Sequence, residues 1–143
     1  MTRLPQRLTM VTLAVADVAR STAFYESLGW SRSAASQETI TFFTTQGSVV
    51  ALFGRESLAH DVGVPAEGEG FRGVTLALNC DSREEVDETF AAWCAAGAEA
   101  VKQPEAVFWG GYSSYVADPD GHLWEIAHNP FSPNDENGLM QLP

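Results

Sequence analysis

The feature that most constrains this chain is an internal echo: Val11-Thr12-Leu13-Ala14-Val15 returns as Val74-Thr75-Leu76-Ala77-Leu78. Each copy is an apolar strand followed by a polar capping position and a helix that stops at a glycine. Self-similarity of this kind is the mark of a duplicated supersecondary unit. The chain therefore reads as two βαβββ modules, the first over residues 8–54 and the second over 71–128, with a connector at 55–70 and a tail at 129–143.

The helices carry their own signals. Asp17 precedes Val18, Phe24, Tyr25 and Leu28, with Gly29 at the stop; a short acidic side chain at this point accepts from free amides at a helix start. In the second copy Ser82 and Glu85 form a capping box, and Val86, Phe90, Trp93 and Cys94 then repeat on one face up to Gly97. These aromatics are read as core. Short strands are expected near Ser33, at 39–45 and at 49–53, with Gln46-Gly47 turning between the last two. The connector collects Gly, Pro and Glu without a clear period and is expected to be a loop. Beyond the second helix come a strand near Ala100, a flap from Phe108 to Gly111, and a hairpin turned by Asp118-Pro119-Asp120-Gly121. The polar tail is expected to be loose and to lie over a neighbouring subunit.

Composition excludes several classes. Nineteen acidic residues against eight basic ones give a net charge of −11, which repels nucleic-acid backbones and anionic lipid alike. No apolar run approaches the roughly 20 residues of a membrane span. Cys80 and Cys94 match no metal-binding or redox spacing. A cytoplasmic protein with no nucleic-acid and no membrane partner is expected.

The run Trp109-Gly110-Gly111-Tyr112 through Asp118-Pro119-Asp120-Gly121-His122-Leu123-Trp124-Glu125, together with Phe24-Tyr25, Leu28 and Gly29, resembles the glyoxalase and bleomycin-resistance proteins of the vicinal-oxygen-chelate superfamily. The resemblance extends to Pro130. It implies an α+β fold in which two βαβββ modules curl an eight-stranded mixed sheet around a cavity, and commonly a homodimer. It also implies four metal-ligand positions, two per module. Carried onto this chain they are Met10, Ala51, Gly73 and Glu125. Only Glu125 offers a hard donor, since a thioether suits none of the usual divalent ions and Ala and Gly offer nothing. No metal and no other cofactor is therefore assigned. His60, His122 and His128 are read as a solvated side chain, a turn residue and a strand residue on the face opposite Glu125.

Strand parity separates the faces. Val11, Leu13, Val15, Val74, Leu76, Leu78, Trp124 and Ile126 belong under the helices. Met10, Thr12, Ala51, Phe53, Gly73, Thr75 and Glu125 then line a mostly apolar cavity, with Ser114 or Thr75 holding the carboxylate and Phe108, Trp109 and Tyr112 forming an aromatic lip. Such a chamber suits a small organic molecule, drug or metabolite, bound without metal. The alternatives are a lyase or isomerase using Glu125 as general base, and a divergent metal-dependent glyoxalase- or dioxygenase-like enzyme.

Overall fold

A computed structural model describes residues 4–143. The order is β1 (Met10–Val15), α1 (Val18–Ser27), β2 (Ile40–Thr44), β3 (Val49–Gly54), α2 (Arg55–Val62), β4 (Leu76–Asn79), α3 (Arg83–Ala95), β5 (Glu99–Ala106), β6 (Tyr112–Ala117) and β7 (Leu123–His128). They form two mixed sheets, one of three strands ordered β1-β3-β2 and one of four ordered β4-β7-β6-β5. β1 runs parallel to β3 and β4 parallel to β7; the other pairs are antiparallel.

The second module is a complete βαβββ unit, while the first lacks its second strand, so the described residues hold seven strands in two sheets rather than eight in one. The missing strand was expected near Ser33. That segment is Ser31-Arg32-Ser33-Ala34-Ala35-Ser36, with no alternating apolar face to bury, and its serines bond locally instead: the Ser33 amide donates to Phe42 O at 2.7 Å and Ser36 Oγ accepts from the Phe42 amide at 2.9 Å.

The helix starts are those expected. Asp17 Oδ1 accepts from the Arg20 amide at 3.0 Å, and Ser82 Oγ from the Glu85 amide at 3.1 Å. Glu85 reaches one residue further back than a capping box requires, taking the Asp81 amide at 2.7 Å. The connector is not wholly a loop. Its first eight residues are α2, no residue of which is buried. The weak apolar pattern hid it, and it is held from its ends: Gly63 closes it at φ +87°, and Arg55 Nε donates to Ala66 O at 2.6 Å. β4 begins later than the repeat implies. Gly73 has φ +76° and Val74 is 63% exposed, so Gly73, Val74 and Thr75 precede the strand.

α1 and α3 both contribute to one core, which joins the modules. Leu13, Val15, Phe24, Tyr25 and Leu52 from the first meet Val86, Trp93, Trp124 and Ile126 from the second. Tyr25 sits at the join, its ring centroid 5.0 Å from Phe24, 5.2 Å from Trp30 and 6.3 Å from Trp124. The Asp118-Pro119-Asp120-Gly121 turn of the second module is latched onto the first. Tyr25 Oη donates to Asp118 Oδ2 at 2.6 Å, the Ala16 amide to Asp120 Oδ1 at 2.8 Å, and His122 Nε2 lies 2.7 Å from Ala14 O. The latch places β7, and with it Glu125, in fixed relation to the first module.

Candidate functional site

The register of the strands decides what surrounds Glu125. In β6 and β7, Tyr115 lies opposite Glu125, Ser113 opposite Ala127 and Ala117 opposite Leu123. In β4, Ala77 lies beside Glu125. These side chains share the face turned away from the helices. On the first sheet the equivalent face carries Met10, Thr12 and Ala14, beside Val49, Ala51 and Phe53.

Glu125 is half-buried and held by two hydroxyls. Ser113 Oγ donates to Glu125 Oε2 at 2.8 Å and Tyr115 Oη to the same oxygen at 3.3 Å. Among the described residues no donor is bonded to Oε1, which is left for whatever occupies the face. Burial, and after it the charge of Glu125, hold the Tyr115 phenol above its ordinary range. Tyr115 is therefore a standing hydrogen-bond donor beside a carboxylate.

Several expected site residues lie elsewhere. Ser114 is fully buried on the helix side and donates to Ile126 O at 2.8 Å, so it does not hold the carboxylate. Thr75 and Gly73 precede β4, which removes them from the sheet face. Tyr112 shares the parity of Ser114; its hydroxyl donates to Asp87 Oδ1 at 2.8 Å and Arg83 stacks on its ring, clasping it to α3. The aromatic lip does not assemble. Phe108 is fully exposed at the tip of the β5–β6 hairpin, and the Trp109 ring lies across Gly111, where a Cβ would stand only 1.9 Å from a ring carbon. The residues that the parity argument missed are Ser113 and Tyr115. Met10, Thr12, Ala51 and Phe53 share one face of the first sheet, with Met10 41% exposed and Ala51 buried, while Glu125 stands on the second sheet.

The donor set does not fit a metal. Met10, Ala51 and Gly73 supply no hard ligand, and among the described residues no three His, Cys, Asp or Glu side chains stand close enough to grip an ion. The histidines have other employment: His122 meets Ala14 O, His128 Nδ1 lies 3.0 Å from Cys80 O, and His60 is exposed on α2.

Comparison with known proteins agrees with this architecture. The family model for the Glyoxalase/Bleomycin resistance protein/Dioxygenase superfamily matches residues 7–126. The chain belongs to this superfamily. Among solved structures it is similar to a glyoxalase-related enzyme from Fulvimarina pelagi, with 34% identity, a TM-score of 0.86, and coverage of 96% of this chain and 99% of that one. It is also similar to a glyoxalase/bleomycin resistance protein/dioxygenase from Nocardioides, at 27% identity and a TM-score of 0.73 over 89% of this chain and 85% of the other. A lactoylglutathione lyase from Agrobacterium tumefaciens shares the fold at 22% identity and a TM-score of 0.66, over 88% of this chain and 96% of that one. No curated protein matches. Among the described residues, no helix is long and apolar enough to cross a membrane.

Proposed function

We propose that this superfamily member binds a small organic molecule, drug or metabolite, on the open face around Glu125 without a metal. The observation that carries the reading is the half-satisfied carboxylate: among the described residues, Oε2 of Glu125 takes both hydroxyl donors and Oε1 takes none. Beside it Ala77 is small, and on the first sheet Thr12 and Ala51 are small while Met10 and Phe53 offer apolar contact. A planar or cationic ligand stacks on Phe53 or Tyr115 and pairs its charge with Glu125, contacts worth about 1 kcal/mol each. A second copy of the chain, packing over exposed Met10, would cover the same face as a homodimer.

The test is calorimetric titration with aromatic glycopeptide and quinone antibiotics in the presence of EDTA. Saturable binding is expected, weakened about tenfold, or about 1.4 kcal/mol, by Glu125→Gln for a cationic ligand. Failure of every such compound to bind would overturn the reading.

A second reading is favoured by two observations: the 34% identical relative is described as an enzyme, and a phenol held protonated stands beside Glu125. In that reading the chain is a lyase or isomerase. Glu125 removes a proton next to a substrate carbonyl and Tyr115 donates to the developing oxyanion, general-base help being worth about 10² to 10⁴ in rate. Glu125→Gln then abolishes turnover while leaving binding of a neutral substrate intact; unchanged turnover would eliminate it.

A further inference from the structure

A cleft of about 940 Å³ lies away from Glu125, which is not among its lining residues. It opens on the helix side, at the seam between the two modules. Its origin is topological: β1 and β4 are both edge strands, each in its own sheet, with no strand between them. Val11, Phe43 and Val50 from the first sheet form one wall, and Trp124 and Leu78 from the second form another. Trp30, just past the glycine that ends α1, also lines it.

The edge of β4 is itself part of the surface. Leu76, Ala77, Leu78 and Asn79 all border the cleft; four consecutive strand residues do so only where the strand's edge, not one of its faces, is open. The Cys80 amide donates to Ala127 O at 2.6 Å, so by strand alternation the amides of Leu76 and Leu78 point toward β7 and those of Ala77 and Asn79 toward the cleft. Backbone amides of β4 thus border the same cleft as the Trp30 ring.

The tail supplies the remaining wall and is anchored to its own chain, contrary to the expectation of a loose segment. Asn134 Nδ2 donates to Asn79 O at 2.7 Å, and Asn79 Nδ2 to Asn134 Oδ1 at 2.9 Å. Asn134 also pairs with Met140 in a β-bridge that sets Leu139 and Met140 at the rim. Charge then selects the occupant. Among the described residues, the charged side chains lining the cleft are Asp81 and Glu85, both acidic, and the whole chain carries −11.

We propose that this seam cleft is a second ligand site, separate from the Glu125 face, and that it takes a flat organic cation. The volume lies within the range of small-molecule sites. The half-buried ring of Trp30 receives the planar body and attracts its charge, Asp81 and Glu85 neutralise it at the mouth, and the β4 edge orients any amine or amide it bears.

The probe is ethidium, a planar aromatic cation, followed by fluorescence anisotropy on the full chain. The double variant D81N/E85Q removes both charges but keeps an oxygen acceptor for the Asn134 and Asp81 amide contacts. We expect saturable ethidium binding to the wild-type chain, weakening at least tenfold in D81N/E85Q and persisting in E125Q. Ser31→Trp, at an exposed rim position, obstructs the cleft without touching the core and is expected to weaken ethidium comparably. Absence of saturable binding to the wild type, equal affinity in D81N/E85Q and S31W, or loss of ethidium only in E125Q would overturn the proposal. Because the Glu125→Gln arm of the antibiotic titrations reads the Glu125 face and the D81N/E85Q and S31W arms read the cleft, the two sites fail distinguishably.

Discussion

Replacing Tyr25 with Phe removes one oxygen from the join between the modules and should destabilise the protein by about 3 kcal/mol. Tyr25 is fully buried, and its hydroxyl donates to Asp118 Oδ2 at 2.6 Å while accepting from Trp124 Nε1 at 3.2 Å. Asp118 is 4% exposed and Trp124 6% exposed, so water does not readily replace the lost partner. A hydrogen bond to a charged group is worth roughly 1.5–3 kcal/mol and a neutral one about 1 kcal/mol. The ring remains, so no cavity opens and no packing term is added. Asp118 keeps the Asp120 and His122 amides on Oδ1, both at 2.9 Å, which limits the loss. In urea, with a slope near 2 kcal/mol per molar for a chain of this size, the midpoint should fall by about 1.5 M with the slope unchanged. A fall below about 0.3 M would show that the hydroxyl is not what holds the Asp118 turn to the first module. A double-mutant cycle with Asp118→Asn should return a coupling of at least about 1 kcal/mol.

Other outcomes follow from the same structure. Burial raises the Tyr25 phenol, the adjacent Asp118 charge adding to it, and burial pushes the Cys80 thiol up to about 11 from an ordinary value near 9. Both groups are held protonated in the folded state and ionise more readily in the unfolded chain. The Cys80 contribution is therefore complete below about pH 9 and lost as pH rises through about 11, while that of Tyr25 begins to fall above about pH 10 and goes on falling beyond this range; urea midpoints measured from pH 8 to 11 should fall steadily, and a flat profile would contradict this. Gly111→Ala places a methyl where the Trp109 ring lies, at 1.9 Å from a ring carbon. The ring, already 41% exposed, should swing outward, shifting tryptophan emission to the red at a stability cost of about 1 kcal/mol or less; unaltered emission would show the ring has another resting place.

Much of the fold was legible because local chemistry and the global pattern agree at the relevant residues. Asp17 and Ser82 cap the helices they were expected to cap, and Leu13, Val15, Trp124 and Ile126 lie in the shared core. Where the sequence misleads, a competing local interaction prevails. The echo at residues 74–78 implies a strand from Val74, but Gly73 turns the chain with a positive φ and pairing starts at Leu76. The polar run around Ser33 closes on its own serines rather than forming a strand. α2 has no buried face to give it a period. At the site, Glu125 was identifiable from its place after the Asp118-Pro119-Asp120-Gly121 turn, but its partners were assigned one residue off. The register that decides it is set by the Asp118 amide bonding to His122 O; continuing that hairpin sets Tyr115 opposite Glu125, with Ser113 on the same face and Ser114 on the other. The seam cleft was not legible at all, since it depends on how two edge strands are spaced.

Glu125 as a lone anchor, without the companions a bound ion requires, is the claim on which the functional account rests. Metal analysis of the protein purified without chelator, repeated after dialysis against nickel, manganese, zinc and iron(II) and again with Glu125→Gln, tests it directly. The account predicts far less than one equivalent of each metal, unchanged by the substitution; a stoichiometric ion that is lost in Glu125→Gln would contradict it.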